Sequence, residues 1–163
     1  MKSLVEAFPT HLKEALAIGQ SATFTNTDKQ FENIVISGLG GSGIGGKIVS
    51  QLVADDCCLP ILCTNDYVLP AFVGPKTLVI ISSYSGETEE TVAAYNEAKA
   101  KGATISCITS GGRIAAAASA DGYNCIIIPG GKPPRSMFGY SSVQVLFTLK
   151  AYGIYNGNFE AEI

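Results

Sequence analysis

Short apolar runs without alternation, separated by segments of helical periodicity, limit the fold of this chain more than any other feature. The strongest run is TLVIIS at residues 77–82, and weaker ones lie at residues 33–37, 59–63, 103–108 and 124–129. Continuous apolar runs are typical of strands buried on both faces, and strands that alternate with helices form right-handed βαβ units. We therefore predict an α/β fold, a three-layer αβα sandwich around a doubly wound, five-stranded parallel sheet.

The segment before the first strand is predicted to be helical. Pro9 suits the first turn of a helix, apolar residues follow at helical spacing, and Gly19 is positioned to cap the end. A length of 163 residues fits a single domain. We divide it into a helical lead-in at 1–32, the main domain at 33–157 and a tail at 158–163.

The composition excludes several classes of partner and site. A net charge of −3 without any basic run argues against nucleic-acid binding. We expect no secretory leader, and because no apolar stretch approaches the roughly 20 residues that span a bilayer, we expect no membrane partner. The five cysteines fit no zinc spacing. We expect them to be buried free thiols, which indicates a reducing, cytoplasmic location.

A glycine-rich turn with the sequence GLGGSGIGG follows the first predicted strand, at residues 38–46. Glycines let the backbone approach a bound anion closely, and the following helix directs its free N–H groups toward it. Gly38, Gly40 and Gly43 also satisfy the G-x-G-x-x-G pattern, with Asp66 near the place of the acidic partner of a dinucleotide site. A dinucleotide site and a tight turn without ligand are therefore the alternatives to a phosphate site.

A serine-rich turn, SSYSGET at residues 82–88, follows the strongest strand and opens a helix. Its hydroxyls and backbone N–H groups are donors of the kind that bind phosphate oxygens. The alternative is that Ser85 and Thr88 only cap the helix. A dinucleotide domain does not need a second donor-rich turn, whereas a monophosphate pocket between two turns does. The two turns together thus predict a site for the phosphate of a sugar phosphate.

Charged residues near these turns have two interpretations each. Arg135 follows Pro129 in the segment PGGKPPR, where it is either a fixed cation of the site or a solvated loop residue. Glu87 and its neighbours Glu89 and Glu90 are either a base beside the phosphate or acids that complement the helix dipole. The single histidine, His11, is predicted to be a surface residue of the lead-in helix.

These motifs resemble a known family. The pair GLGGSGIGG and SSYSGETEET resembles the sugar isomerase (SIS) domain, which has a flavodoxin-like fold. SYSGETEET with PGGKPPRSMFGY resembles, more narrowly, the N-terminal half of the bifunctional phosphoglucose/phosphomannose isomerases. The resemblance implies an aldose–ketose isomerase that interconverts glucose 6-phosphate or mannose 6-phosphate with fructose 6-phosphate through an enediol. It implies no metal or organic cofactor, and a homodimer.

The resemblance also implies roles for individual residues. Arg135 would be the catalytic residue that stabilises the enediol. The residues implied to bind the 6-phosphate are Gly41, Ser42, Ser83, Ser85 and Thr88. Members of this family carry two SIS domains, and their base glutamate and histidine are expected beyond residue 163, so the resemblance leaves open whether this chain alone is an enzyme. The alternative functions are a non-catalytic phosphosugar-sensing module and, with less support, a dinucleotide-binding domain.

Overall fold

A computed structural model describes residues 4 and 6–163 of the protein. Its centre is a five-stranded parallel sheet with the strand order β2-β1-β3-β4-β5. The strands are β1 Asn33–Gly38, β2 Ile61–Thr64, β3 Thr77–Ser82, β4 Thr104–Thr109 and β5 Asn124–Ile127. The predicted doubly wound parallel sheet is confirmed.

Strand β3 lies at the middle of the sheet, and all six of its residues are buried. Val79 lies opposite Val35 of β1 on one side and Ile105 of β4 on the other. A strand with a neighbour on each edge and helices on each face has no side that meets water. This explains why its sequence is continuously apolar instead of alternating.

Helices cover both faces of the sheet and complete the predicted three layers. They are α1 Phe8–Ser21, α2 Gly40–Leu52, α3 Glu89–Ala100, α4 Gly112–Asp121 and α5 Phe138–Ala151. The core on one face joins α1, α2 and α5 to the sheet through residues such as Val49 and Leu146. The core on the other face joins α3 and α4 through Tyr95 and Ile114.

Two predictions about the lead-in helix are wrong. Gly19 does not cap α1, which continues to Ser21, but lies inside it and is buried. A Cβ at Gly19 would lie 1.9 Å from the Phe147 ring, so the glycine is needed for close packing of α1 on α5. His11 is not a surface residue either, because it is half-buried with its ring centroid 5.3 Å from that of Tyr140.

The cysteines are all unpaired thiols, but their burial differs from the prediction. Cys107 is buried and Cys58 is exposed, with the other three between these extremes. Burial raises the pKa of the Cys125 thiol to about 11. None of the helices in residues 4 and 6–163 has the length and apolar character needed to cross a bilayer.

The winding of the chain determines where a ligand can bind. From β1 the chain moves outward to the edge strand β2, and then returns across β1 to begin the opposite half at β3. The connections after β1 and after β3 therefore leave the sheet toward opposite faces and open a crevice between them. Ligands of doubly wound sheets bind in this crevice, outside the carboxyl ends of the strands.

Candidate functional site

An open cleft of about 470 Å³ lies at this switch point of the sheet. Three separate segments form it: the turn after β1, the turn after β3 and the proline-rich loop after β5. The lining residues are Leu39, Gly40, Gly41, Ser42, Tyr84, Ser85, Thr88, Pro133, Pro134 and Arg135. Five of the six residues predicted for the site line the cleft, and the sixth, Ser83, does not.

Glycines of the turn after β1, residues 38–46 and here called the first turn, allow close contact between β1, α2 and the proline-rich loop. A Cβ at Gly43 would lie 2.4 Å from the carbonyl oxygen of Gly38, so strand β1 and helix α2 could not meet this closely with any larger residue. A Cβ at Gly41 would lie 2.8 Å from the carbonyl oxygen of Pro134 and 3.2 Å from the Cα of Arg135. Gly41 is therefore the residue that lets the proline-rich loop lie against the first turn.

Ser42 connects the first turn to the serine-rich turn after β3, residues 82–88 and here called the second turn. Its Oγ accepts a hydrogen bond from the backbone N–H of Tyr84 at 3.0 Å, and its backbone carbonyl accepts one from Ser82 Oγ at 3.4 Å. An oxygen that accepts in this way keeps its own proton for another acceptor. Ser42 is thus held in place by the second turn and can donate into the cleft.

The hydroxyls of the second turn are not used to cap helix α3. Thr88 occupies the N-cap position, yet its side chain makes no capping hydrogen bond. Ser83 Oγ, which is buried, donates to Thr88 Oγ1 at 3.4 Å, so Ser83 lies behind Thr88 instead of facing the cleft. Ser85 is exposed, and its Oγ accepts from the N–H of Glu87 at 3.2 Å. Thr88 and Ser85 can both donate to an anion at the start of α3, where the helix dipole also favours negative charge.

Glycines also let the serine-rich turn pack directly against the turn after β4. A Cβ at Gly86 would lie 1.9 Å from the carbonyl oxygen of Gly111, and one at Gly112 would lie 2.4 Å from that of Ser85. Both Gly86 and Gly112 have positive φ, at 68° and 69°. The turn after β3 therefore rests directly on the turn after β4, an arrangement that sequence reasoning did not find.

Glu87 belongs to this support and not to the cleft. Arg113 Nε donates to its carboxylate at 2.6 Å, and the Arg113 backbone N–H donates to the same group at 2.8 Å. These hydrogen bonds hold the pKa of the Glu87 carboxyl below its usual range. Helix α3 begins at Glu89, so Glu89 and Glu90 form its acidic first turn as the sequence predicts.

Arg135 occupies a short 3₁₀ turn, Pro134–Ser136, at the rim of the cleft. Its side chain is exposed, and within residues 4 and 6–163 no hydrogen bond or ion pair engages its guanidinium group. Arg113, in contrast, donates to Glu87 from both Nε and Nη2. Arg135 also carries the only formal charge among the described residues that line the cleft, so it is available to an anionic ligand.

Sequence reasoning gave no role to Tyr84, which also lines the cleft. Besides its N–H bond to Ser42, its carbonyl accepts from both the N–H and the Oγ of Ser110, at 2.9 and 2.7 Å. Its hydroxyl accepts from the N–H of Lys132 at 3.0 Å. The signal in the sequence was its position between two hydroxyl residues of the second turn.

The described lining residues include no aspartate, glutamate, histidine or cysteine. The cleft can therefore bind an anion with hydroxyls, with the start of a helix and with one guanidinium group, and it can stabilise negative charge that develops beside Arg135. It does not itself hold a group suited to moving a proton at neutral pH. Asp66, the acidic residue of the dinucleotide alternative, lies outside the lining.

Sequence comparison identifies the family. The family model of the SIS domain matches residues 69–154, which include the second turn, the proline-rich loop and helix α5. This chain belongs to the SIS domain family. The matched region begins after the glycine-rich turn. The contribution of Gly41 and Ser42 to the cleft is therefore seen in the structure and lies outside the family match.

Two curated relatives share the name bifunctional phosphoglucose/phosphomannose isomerase. A bifunctional phosphoglucose/phosphomannose isomerase of Caldicellulosiruptor bescii is 45% identical over 90% of this SIS chain and 43% of its own length. The enzyme of the same name from Thermoplasma acidophilum is 47% identical over 72% of this chain and 36% of its own. The chain thus spans less than half the length of these relatives.

Solved structures share the SIS fold at low sequence identity. A protein of Clostridium difficile 630 assigned as a phosphosugar isomerase superimposes with a TM-score of 0.76 at 17% identity, over 99% of this chain and 49% of that one. The NanR protein of Vibrio vulnificus, complexed with ManNAc-6P, superimposes with a TM-score of 0.62 at 17% identity, over 99% and 63%. These likenesses confirm the predicted fold class.

Proposed function

We propose that this chain is the phosphosugar-binding SIS domain of an aldose–ketose isomerase that interconverts glucose 6-phosphate or mannose 6-phosphate with fructose 6-phosphate. The observation that carries the proposal is the convergence of Ser42, Thr88 and Arg135, from three separate segments, on one cleft. The identity to the curated phosphoglucose/phosphomannose isomerases supports the choice of sugar phosphates.

In this proposal the two turns hold the 6-phosphate. Gly41 and Ser42 approach it from one side, and Ser85 and Thr88 from the other, with Ser83 orienting the Thr88 hydroxyl from behind. Hydrogen bonds to a charged phosphate are shorter and stronger than bonds between neutral groups. A dianion bound by hydroxyls and the start of a helix also needs no lysine, and the described lining has none.

Arg135 would act at the other end of the substrate. Isomerisation through an enediol places negative charge on oxygens at C1 and C2, and a fixed guanidinium group beside them lowers the energy of that state. The 3₁₀ turn and the adjacent prolines limit the freedom of Arg135 before the ligand arrives. No metal or organic cofactor takes part in this proposal.

A second candidate function is phosphosugar binding without turnover. The specific observation in its favour is the absence of a carboxylate or imidazole from the described lining of the cleft. Proton transfer between C2 and C1 requires a base within hydrogen-bond reach of both carbons. This candidate and the isomerase proposal share the same ligand and differ only in the acid–base group.

Three broader assignments, the division of the chain, the oligomeric state and the location, are also proposals. Residues 33–157 would be the phosphosugar-binding domain, with 1–32 as lead-in and 158–163 as tail. A homodimer is supported by an apolar stripe on α2, where Ile44, Ile48 and Leu52 are exposed. Sedimentation equilibrium tests it. A cytoplasmic location is supported by the unpaired thiols.

The test is a nuclear magnetic resonance titration of the chain with fructose 6-phosphate, glucose 6-phosphate and NAD in parallel. We expect both sugar phosphates to shift the amide signals of Ser42, Ser85 and Thr88, and NAD to shift none of them. Shifts of Gly38, Gly40 and Asp66 with NAD alone would replace the proposal by the dinucleotide alternative.

A further inference from the structure

The loop that carries Arg135 is attached weakly at its beginning. Residues 129–133 contain Pro129 and Pro133, which have no N–H group, so the segment has only three backbone N–H donors. Among the described residues, one of the three has a hydrogen-bond partner: the N–H of Lys132 donates to the Tyr84 hydroxyl at 3.0 Å. The other end of the loop is closed by the 3₁₀ turn and the contact with Gly41.

Tyr84 itself is held firmly enough to serve as an anchor. Its N–H donates to Ser42 Oγ, and its carbonyl accepts two hydrogen bonds from Ser110. The backbone of Tyr84 is therefore attached both to the first turn and to the turn after β4. Its ring extends from this position to the loop, and its hydroxyl is the part that reaches Lys132.

We propose that Tyr84 is a positioning residue for Arg135: its hydroxyl holds the Lys132 N–H and thereby keeps the arginine loop over the cleft. The proposal rests on the proposed function in so far as Arg135 contacts the ligand. When the anchor is lost, the loop spends part of its time away from the cleft, and the apparent affinity falls in proportion to the fraction that stays in place.

The expected loss follows from the strength of one hydrogen bond. A neutral hydrogen bond contributes roughly a fivefold factor to an equilibrium, so Tyr84→Phe should weaken fructose 6-phosphate binding by about three- to tenfold. The phenylalanine keeps the ring that lines the cleft and removes only the acceptor of the Lys132 N–H.

A double-mutant cycle tests whether Tyr84 acts through Arg135. Calorimetry on the wild type, Tyr84→Phe, Arg135→Ala and the double variant gives the four affinities for fructose 6-phosphate. We expect Tyr84→Phe to cause no further loss once Arg135 is absent, because the two changes then remove the same contact. Equal losses in both backgrounds would overturn the proposal, as would an unchanged affinity of Tyr84→Phe alone.

Tyr95→Phe is the matched control, since it removes a tyrosine hydroxyl bonded to Asp121 on the opposite face of the sheet and should leave the affinity unchanged.

Hydrogen exchange at the Lys132 amide gives a readout that needs no ligand, and Tyr84→Phe should accelerate it several-fold. If the wild type fails to bind fructose 6-phosphate, the proposed function fails, while this exchange measurement still decides whether Tyr84 anchors the loop. Unchanged exchange would refute the anchor.

Discussion

Gly41→Ala is the change that most directly tests the assembly of the cleft from separate segments. The new Cβ would lie 2.8 Å from the Pro134 carbonyl oxygen, where ordinary contact begins at 3.4 Å. Because Gly41 lies in the rigid first turn of α2, the proline-rich loop must retreat by several tenths of an ångström, and Arg135 must retreat with it.

The magnitude comes from two opposing terms. Overpacking of this kind costs about 1–3 kcal/mol, while alanine in place of glycine inside a helix returns up to about 1 kcal/mol. Loop retreat relieves the strain in the free chain, so unfolding should change little. Binding must push the loop back against the new Cβ, which costs the overpacking energy of about 1–3 kcal/mol and lowers the affinity roughly five- to 150-fold; the helix term is the same in the free and the bound chain.

Calorimetry with fructose 6-phosphate and thermal unfolding, measured on the same preparations, separate the two effects. Gly74→Ala is the control, because the nearest atom to its Cβ would be the Phe72 carbonyl oxygen at 4.0 Å. Wild-type affinity in Gly41→Ala would refute the idea that Gly41 sets the position of the Arg135 loop. A large loss of stability with unchanged affinity would refute it as well.

Three further predictions concern the phosphate site, turnover and pH. Ser85→Ala should weaken fructose 6-phosphate binding about tenfold to a hundredfold by calorimetry, since a hydrogen bond to a charged group is lost. Ser21→Ala at the end of α1 is the control and should change nothing, because Ser21 Oγ donates to the Ile18 carbonyl and lies outside the cleft lining. The chain alone should show little or no isomerase turnover in a coupled assay, because general acid–base catalysis typically contributes about a hundredfold to ten-thousandfold. Turnover at ordinary enzyme rates that Glu87→Gln abolishes would contradict the engagement of Glu87 by Arg113. Burial raises the pKa of Tyr152 to about 12, so the folded state favours the neutral phenol and stability should fall as pH rises from about 10 toward that value. Urea unfolding across this range should show the fall in the wild type and a flatter dependence in Tyr152→Phe.

The fold could be predicted because its signal is local. Strands buried on both faces must be apolar throughout, and the run TLVIIS coincides with β3, Thr77–Ser82, without error. The ends of the other strands shift by one to a few residues, since a strand ends where pairing ends and pairing depends on the neighbour. The prediction for Gly19 is wrong for a similar reason. A glycine that ends a helix and a glycine that packs against a crossing helix cannot be distinguished from the sequence alone.

The candidate site could be predicted in part. The turns after β1 and β3 carry their donors in contiguous motifs, so Ser42, Ser85 and Thr88 were found from the sequence, and the structure places all three on the cleft. Ser83 belongs to the same motif but is buried, and its Oγ donates to Thr88 Oγ1 instead of facing the cleft. Which hydroxyl of the motif faces the cleft depends on the path of the backbone through the turn, and the local sequence does not fix that path.

What the sequence by itself determined is the set of local elements and the chemistry of each turn: apolar strands, glycine where backbones approach, hydroxyls at the start of a helix. What only the tertiary structure decided is which distant residues share a task. Glu87 is bound by Arg113, 26 positions away, and so is a support instead of a base. Tyr84 meets the N–H of Lys132, 48 positions away. Contacts of this kind depend on the order of the strands in the sheet. That order is set by the packing of the whole domain and cannot be read from local sequence patterns.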